Sequence, residues 1–266
     1  MEGTALKWEE LLAWLREGEP YAIAFSGGVD STLLLRAAVE AGRGGPPLAL
    51  IADTPTLPRR ELREAVDVAE GMGVTPLPVK TGEWRLPAYL ANPPDRCYLC
   101  KRHLFGTLFE EARRRGRPRL LDGNNADDSR EDRPGEVAAA ELGAESPLRE
   151  VGLSKAEIRA LSERLGLPTA RKPALACLAT RIPAGDPITL EKLAKIEAAE
   201  DLLHDLGFPG CRVRHHGDLA RIELLPEFFP ALISDGVRSA LIPAFRKLGY
   251  RLVTLDLCGY GASPKI

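Results

Sequence analysis

One heptapeptide constrains this chain more than any other feature: Ser26-Gly27-Gly28-Val29-Asp30-Ser31-Thr32. It follows a short apolar run, Tyr21 to Phe25, and opens a helix-like run, Asp30 to Ala41, that stops at Gly42. Two glycines in a strand-to-helix turn let the backbone pass close to a phosphate with no Cβ in the way. The N–H groups of the helix N-terminus, with their partial positive charge, hold the anion. Ser26, Ser31 and Thr32 add hydroxyl donors, and Asp30 can hold Mg²⁺ or order the loop. The lysine of G-x-x-x-x-G-K-S/T is missing, so this is not that type of phosphate loop. The competing reading is a Gly-rich turn with a Ser/Asp cap. The strand before it and the helix after it weigh against that.

The rest of the first part alternates in the same way. Pro47 to Ala52 and Val74 to Val79 read as strands, Arg59 to Gly71 as a helix, and Leu120-Leu121 as a short strand. The segment from Tyr98 to about Arg115 reads as a helix ending in a run of arginines, cations suited to a helix C-terminus. Alternating strands and helices imply a parallel sheet flanked by helices. Ser154 and Glu157 form a capping-box pattern that starts another helix. A proline-studded connection, Pro168 to Pro187, marks a domain boundary, taken as 1–170 and 171–266. The remainder reads as a smaller α+β domain, with a helix from Thr189 to Leu206 and strands at Cys211 to His215 and Ala220 to Leu224. A second helix follows around Val237 to Leu248, and a last strand at Tyr250 to Leu255.

Composition excludes several classes. Of 266 residues, 44% are hydrophobic, too many for a disordered chain. No apolar run approaches the ~20 residues of a membrane helix, and the acidic, amphipathic N-terminus is no signal peptide. The expectation is a cytoplasmic protein. With 36 Lys+Arg against 38 Asp+Glu, the net charge of −2 argues against a general nucleic-acid binder. Five cysteines, an odd number, argue against a disulfide scaffold.

Ser-Gly-Gly-Val-Asp-Ser resembles the PP-loop of the ATP pyrophosphatase superfamily. That resemblance implies an adenine nucleotide alpha-hydrolase-like α/β fold in which ATP is cut between its α and β phosphates. It also implies that Ala52, Asp53 and Thr54 lie near the adenosine. Gly123 and Asn125, in Asp122-Gly123-Asn124-Asn125-Ala126-Asp127-Asp128, would share the C-terminal rim of the sheet, where open α/β sheets bind ligands. Asp127 and Asp128 would be weaker Mg²⁺ candidates, because paired acids in a loop often serve the turn itself.

Further motifs narrow the resemblance. They are Asp95-Arg96-Cys97-Tyr98-Leu99-Cys100-Lys101-Arg102, Arg133-Pro134-Gly135, Ser146-Pro147-Leu148, the segment Lys172 to Arg181 around Cys177, Arg212-Val213-Arg214-His215, and Ala220-Arg221-Ile222-Glu223. Together they are similar, over essentially the whole chain, to the LarE family of ATP-dependent sulfur transferases. Members adenylate a carboxylate of pyridinium-3,5-biscarboxylic acid mononucleotide and convert it to a thiocarboxylate, toward the nickel-pincer nucleotide cofactor. The second domain would then serve substrate binding, sulfur transfer and oligomerisation, in a homo-oligomer such as a hexamer. The partner would be a small nucleotide, with no nucleic acid and no membrane.

Residue chemistry runs alongside. A carboxylate is thiolated only after its oxygen becomes a leaving group, and a soft sulfur nucleophile must then arrive. Cys177, between Lys172 and Arg181, has cations suited to a thiolate. Arg212 and Arg214 alternate along a strand and project to one face. With Arg181 they could grip a phosphate and a carboxylate. Glu200 and Glu223 match acidic positions that the family places near a metal. Cys211 and Cys258 are taken as structural.

Cys97, Cys100 and Cys177 resemble the three-cysteine branch of the family, where three thiolates hold a 4Fe-4S cluster with an open iron. A sacrificial Cys177 needs no such cluster. Zn²⁺ on Cys97, Cys100, His103 and Cys177 is the next alternative, and a redox pair the last. Two other functions remain: a tRNA-thiolating PP-loop enzyme, and a non-catalytic protein that holds ATP or AMP.

Overall fold

The computed structural model describes residues 2–18, 20–42, 45–128, 134–173 and 176–260. In chain order, the elements up to the first excursion are α1 (Glu2–Arg16), β1 (Tyr21–Ala24), α2 (Val29–Ala41), β2 (Leu48–Asp53), α3 (Arg59–Glu70), β3 (Leu77–Lys80) and a 3₁₀ turn (Glu83–Arg85). Next come α4 (Pro87–Leu90), α5 (Arg96–Arg114), β4 (Arg119–Leu121), α6 (Pro134–Glu141), α7 (Pro147–Glu150) and α8 (Lys155–Arg164). A 3₁₀ turn (Leu178–Arg181) leads to α9 (Leu190–Asp205), β5 (Arg212–His216), β6 (Leu219–Glu223), a 3₁₀ turn (Pro226–Phe228), α10 (Phe229–Leu232), α11 (Asp235–Lys247) and β7 (Leu252–Leu255).

These elements form two compact units: residues 1–86 with 95–175, and residues 87–94 with 176–266. The sequence reading placed a single cut after residue 170. The excursion of Pro87–Pro94 into the second unit has a local cause. Asn92, at a left-handed φ of 55°, donates its side-chain amide to the carbonyls of Pro183 (2.7 Å) and Asp186 (2.9 Å). The Gly185 and Ile188 amides return to the Asn92 and Leu90 carbonyls.

The first unit is built on a parallel sheet of order β3-β2-β1-β4, as the alternation of strands and helices requires. Successive side chains on a strand face opposite ways, so the sheet has two apolar faces. Ile23, Ala49, Ile51 and Leu121 join a core with residues of α1, α2, α3 and α8. Ala22, Leu50, Val79 and Leu120 pack with Phe105, Leu108, Phe109 and Ala112 of α5. Burial on both faces explains why these strands read as short continuous apolar runs. The order reverses at β1, whose neighbours are β2 on one side and β4 on the other, which makes a topological switch point at its carboxyl end.

Capping fixes the boundaries. Ser154 and Glu157 form the expected reciprocal capping box of α8. The strand expected from Val74 begins at Leu77 instead, because the Val74 amide closes the end of α3 on the Ala69 carbonyl and leaves the ladder without it. Helix α5 starts two residues before Tyr98, which puts Cys97 in its first turn.

The second unit carries a sheet of order β5-β6-β7, antiparallel between β5 and β6 and parallel between β6 and β7. Ala199 and Leu203 of α9, Val213, Ile222, Phe245 and Tyr250 fill its core. No helix among the described residues is long and apolar enough to cross a membrane.

Candidate active site

Strand β1 delivers the heptapeptide to the switch point. The Phe25 amide still bonds the Leu50 carbonyl at 2.8 Å, and the chain then leaves the sheet. The two glycines turn out to have different reasons. Gly27 has φ +69°, and a Cβ there would lie 2.5 Å from the Ala65 Cβ and 2.9 Å from its Cα, so it is α3, and not space for a phosphate, that demands glycine. Gly28, the N-cap of α2, has an ordinary φ of −82°. The nearest atom a Cβ there would meet is the Ser26 hydroxyl at 3.5 Å, so packing does not require glycine. Among the described residues nothing else comes within 4 Å of that position, which leaves a cradle beside the Gly28 Cα.

Around that cradle the Ser31 hydroxyl accepts from the Ser26 amide (3.3 Å), donates to the Gly28 carbonyl (3.2 Å) and lies 3.1 Å from the Ser26 hydroxyl. The Thr32 hydroxyl is buried with no hydrogen-bond partner among the described residues. The first amides of a helix have no partner inside it. Val29, Asp30 and Ser31 present theirs in this turn. These features fit a polyphosphate.

The loop after β4 closes on the same turn. A Cβ on Gly123 would lie 2.9 Å from the Ser31 nitrogen, so only glycine permits this approach. Asp122 beside it is buried, and burial raises its pKa against the pull of the Ser146 hydroxyl bond (2.7 Å) and the Asn124 amide. Asp30 accepts from Lys155 Nζ (2.5 Å) and from the Asn125 side-chain amide (3.3 Å). Asp128 serves the turn, taking the Asn125 main-chain amide at 3.0 Å, while Asp127 takes the main-chain amide of Lys155 at the start of α8 at 2.7 Å. Arg149 straps this loop through the Asn125 and Asp128 carbonyls and an ion pair to Glu136.

Lys155 and Arg149 escaped the sequence reading. Lys155 is 125 residues from Asp30, and its only signal is its place after a capping serine. At the end of β2, Asp53 is held by Arg59 Nη1 at 2.5 Å, and the Thr54 hydroxyl donates to buried Glu83.

Cys97 is exposed and Cys100 half-buried, one helical turn apart on α5. Lys172, expected beside Cys177, belongs to the first unit. Burial works against its charge, but Glu61 (2.7 Å) and Glu64 (2.9 Å) outweigh that and raise its pKa.

Cys177 belongs to the second unit, where it caps the Leu178–Arg181 turn and is half-buried. Arg181 makes a two-pronged ion pair with Glu200 at 2.9 and 3.0 Å. Arg214 makes another with Glu223 at 2.8 and 3.0 Å. Arg212 and Arg214 do share a face of β5, joined by Arg221, which sits opposite Arg214 and pairs with Glu223 and Asp256. Arg212 stacks over the Tyr260 ring and donates to its hydroxyl at 2.9 Å. No carboxylate pairs with it among the described residues. Cys211 is buried, and burial raises its thiol pKa. Cys258, expected to pack structurally, is exposed.

Among the described residues no three Cys, His, Asp or Glu side chains are grouped to hold a metal. Cys97, Cys100 and Cys177 match an iron–sulfur site in type and number of donors; the first two belong to one unit and the third to the other. Glu200 and Glu223 have their oxygens on arginines, and the Asp30 oxygens are likewise engaged, one by Lys155 and the other by the Asn125 amide.

No family model matches the chain. An uncharacterized protein of Synechocystis is 43% identical over 254 residues, covering 96% of this chain and 94% of that one. The pyridinium-3,5-bisthiocarboxylic acid mononucleotide synthase of Lactiplantibacillus plantarum is 35% identical over 265 residues, covering 98% and 94%. An uncharacterized protein of Methanocaldococcus jannaschii is 30% identical over 235 residues, covering 88% of each.

Proposed function

We propose, for a chain that belongs to the LarE family of ATP-dependent sulfur transferases, that it thiolates carboxylates of pyridinium-3,5-biscarboxylic acid mononucleotide. The observation that carries this reading is the cradle at Gly28, ringed by the Ser26, Ser31 and Thr32 hydroxyls at the N-terminus of α2. A substrate carboxylate oxygen attacks the α-phosphorus of ATP, the bond to the β-phosphate oxygen breaks, and pyrophosphate leaves. The turn stabilises the charge on the phosphates through amides already in place. Lys155 supplies the cation that the missing lysine of other phosphate loops would bring. Mg²⁺ on Asp30, with Asp128 as the second candidate, would neutralise the leaving pyrophosphate. A sulfur nucleophile then attacks the acyl carbon of the adenylate, and AMP departs with the former carboxylate oxygen.

For the sulfur we propose Cys97, Cys100 and Cys177 as the handling groups. A 4Fe-4S cluster on these three thiolates would supply transferable sulfide. If Cys177 acts alone, its own sulfur becomes the product's and the residue is left as dehydroalanine. We further propose a cytoplasmic homo-oligomer, a hexamer by family likeness.

The test is protein purified without oxygen and incubated with ATP, Mg²⁺ and the dicarboxylate mononucleotide. AMP and pyrophosphate are expected, with a thiocarboxylate product. ADP and orthophosphate would refute the loop assignment. Iron and acid-labile sulfide, lost in Cys97→Ala, Cys100→Ala and Cys177→Ala alike, support the cluster. A mass loss of one H₂S at Cys177 per turnover, retained in Cys97→Ala with Cys100→Ala, would replace it with the sacrificial route.

A further inference from the structure

Arg181 and Arg214 were expected to reach for substrate. Their side chains are turned inward instead. Arg181 is 6% exposed and Glu200 7%, and the pair meets edge to edge. The same guanidinium uses Nη1 to bond the Ala176 carbonyl (2.7 Å), the Cys177 carbonyl (3.2 Å) and the Thr180 hydroxyl (3.1 Å). Glu200 also takes the Val213 amide at 2.8 Å, which ties the pair to β5.

Arg214 repeats the arrangement from the neighbouring position. Two of its nitrogens hold Glu223, which is 0% exposed, and the third donates to the Thr180 carbonyl at 2.7 Å. The Thr180 hydroxyl closes the turn on the Cys177 carbonyl at 2.8 Å. The main chain on both sides of Cys177 is thus fastened by two guanidinium groups, each neutralised by a buried carboxylate. A planar fork with five donors can bridge a carboxylate and several carbonyls at once, which an ammonium cannot do.

We propose that Arg181 with Glu200, and Arg214 with Glu223, are positioning residues that clasp the Cys177 turn, leaving Arg212 as the cation of this face that meets the substrate anion. This rests on the reading that Cys177 handles sulfur. It assigns the two glutamates to the clasp and not to a divalent ion. Removing Glu200 would strand the buried Arg181 guanidinium, and removing Glu223 would leave the half-buried Arg214 without its carboxylate, so each pair acts as a unit.

The experiment has two arms on the full-length protein. In the first, iodoacetamide labels Cys177 under denaturant-free conditions, with exposed Cys258 in the same molecule as internal reference and mass spectrometry as the readout. Arg181→Lys, Arg181→Gln and Arg214→Lys should raise the ratio of Cys177 to Cys258 labelling roughly tenfold, as a charge-assisted clasp is lost to local opening. Thr180→Val, which removes one hydroxyl and no charge, should raise it less and keeps the test alive if the arginine variants do not fold.

In the second arm, the dissociation constant of the dicarboxylate mononucleotide is measured by calorimetry beside the single-turnover rate. Positioning predicts an unchanged constant and a rate lowered roughly a hundredfold in Arg181→Lys and Arg214→Lys. An unchanged labelling ratio with a dissociation constant raised tenfold or more would overturn the proposal and make these arginines substrate grips. If Cys177→Ala still transfers sulfur, the functional reading fails instead, and the labelling arm still decides whether the clasp exists.

Discussion

Gly27→Ala and Gly28→Ala, one residue apart, should fail in opposite ways. At Gly27 the added Cβ meets α3 at 2.5 Å, and the backbone sits at φ +69°. The left-handed conformation costs about 1–2 kcal/mol, and overpacking against a helix about 1–3 kcal/mol. Each kcal/mol shifts Tm by about 2–4 °C in a domain of this size, so the midpoint should fall by about 4–20 °C. At Gly28 the backbone is ordinary and the new methyl stands 3.5 Å from the Ser26 hydroxyl, so stability should change by less than about 0.5 kcal/mol. That methyl instead fills the cradle and separates the phosphates from the first amides of α2. Losing one such charge-assisted contact costs about 1.5–3 kcal/mol, a ten- to hundredfold weaker Kd for ATP. Differential scanning calorimetry reads the first effect and titration with ATP the second. If Gly28→Ala binds ATP like the parent, the phosphate does not sit at this turn. If both variants lose the same stability, the contact with Ala65 is not what fixes Gly27.

Other outcomes follow from the same geometry. Lys155→Ala should slow pyrophosphate release ten- to hundredfold, the size of one charge-assisted contact, without moving Tm by more than a few degrees. A coupled pyrophosphate assay reads it, and an unchanged rate would return Lys155 to a purely structural place. Arg212→Ala should weaken the mononucleotide ten- to hundredfold and leave ATP binding intact. Equal loss of both ligands in calorimetry would count against a separate site on β5. Glu157 is held at a pKa of about 2 by the Lys7 ammonium and then by the Ser154 amide, below its ordinary 4.5. A lowered carboxyl pKa stabilises the fold fully above the unfolded value and loses that share as pH falls from 4.5 toward 2. Urea unfolding of the parent and Glu157→Gln should therefore differ at pH 6 and converge near pH 2, and a gap that persists there would refute the assignment.

The turn from Ser26 to Thr32 was legible in the sequence because most of its demands are local: a strand before it, Gly28 at the N-cap, and a helix stopped by Gly42. The sheet was legible for the same reason, since strands buried on both faces leave short unbroken apolar runs. What stayed hidden depends on which side chain finds which partner. Lys155 meets Asp30 across 125 residues and Arg181 meets Glu200 across 19. Sequence spacing shows that Arg212 and Arg214 share a face. It does not show that one is committed to a buried carboxylate while the other lies on an aromatic ring. Gly27 teaches a related lesson, since its φ and its neighbour Ala65 belong to packing between elements, and a motif reading assigns it to the ligand.

The excursion of Pro87–Pro94 bears on how this molecule can be cut. Because eight residues in the middle of the first unit are held by the second, the polypeptide passes between units three times, and no single scission yields two self-sufficient pieces. A fragment ending at residue 175 keeps the excursion but lacks the carbonyls of Pro183 and Asp186 that satisfy Asn92. A fragment starting at residue 176 has the carbonyls and lacks the asparagine. Separate expression of the halves therefore calls for a graft, with the Pro87–Pro94 octapeptide removed from one gene and supplied in trans to the other.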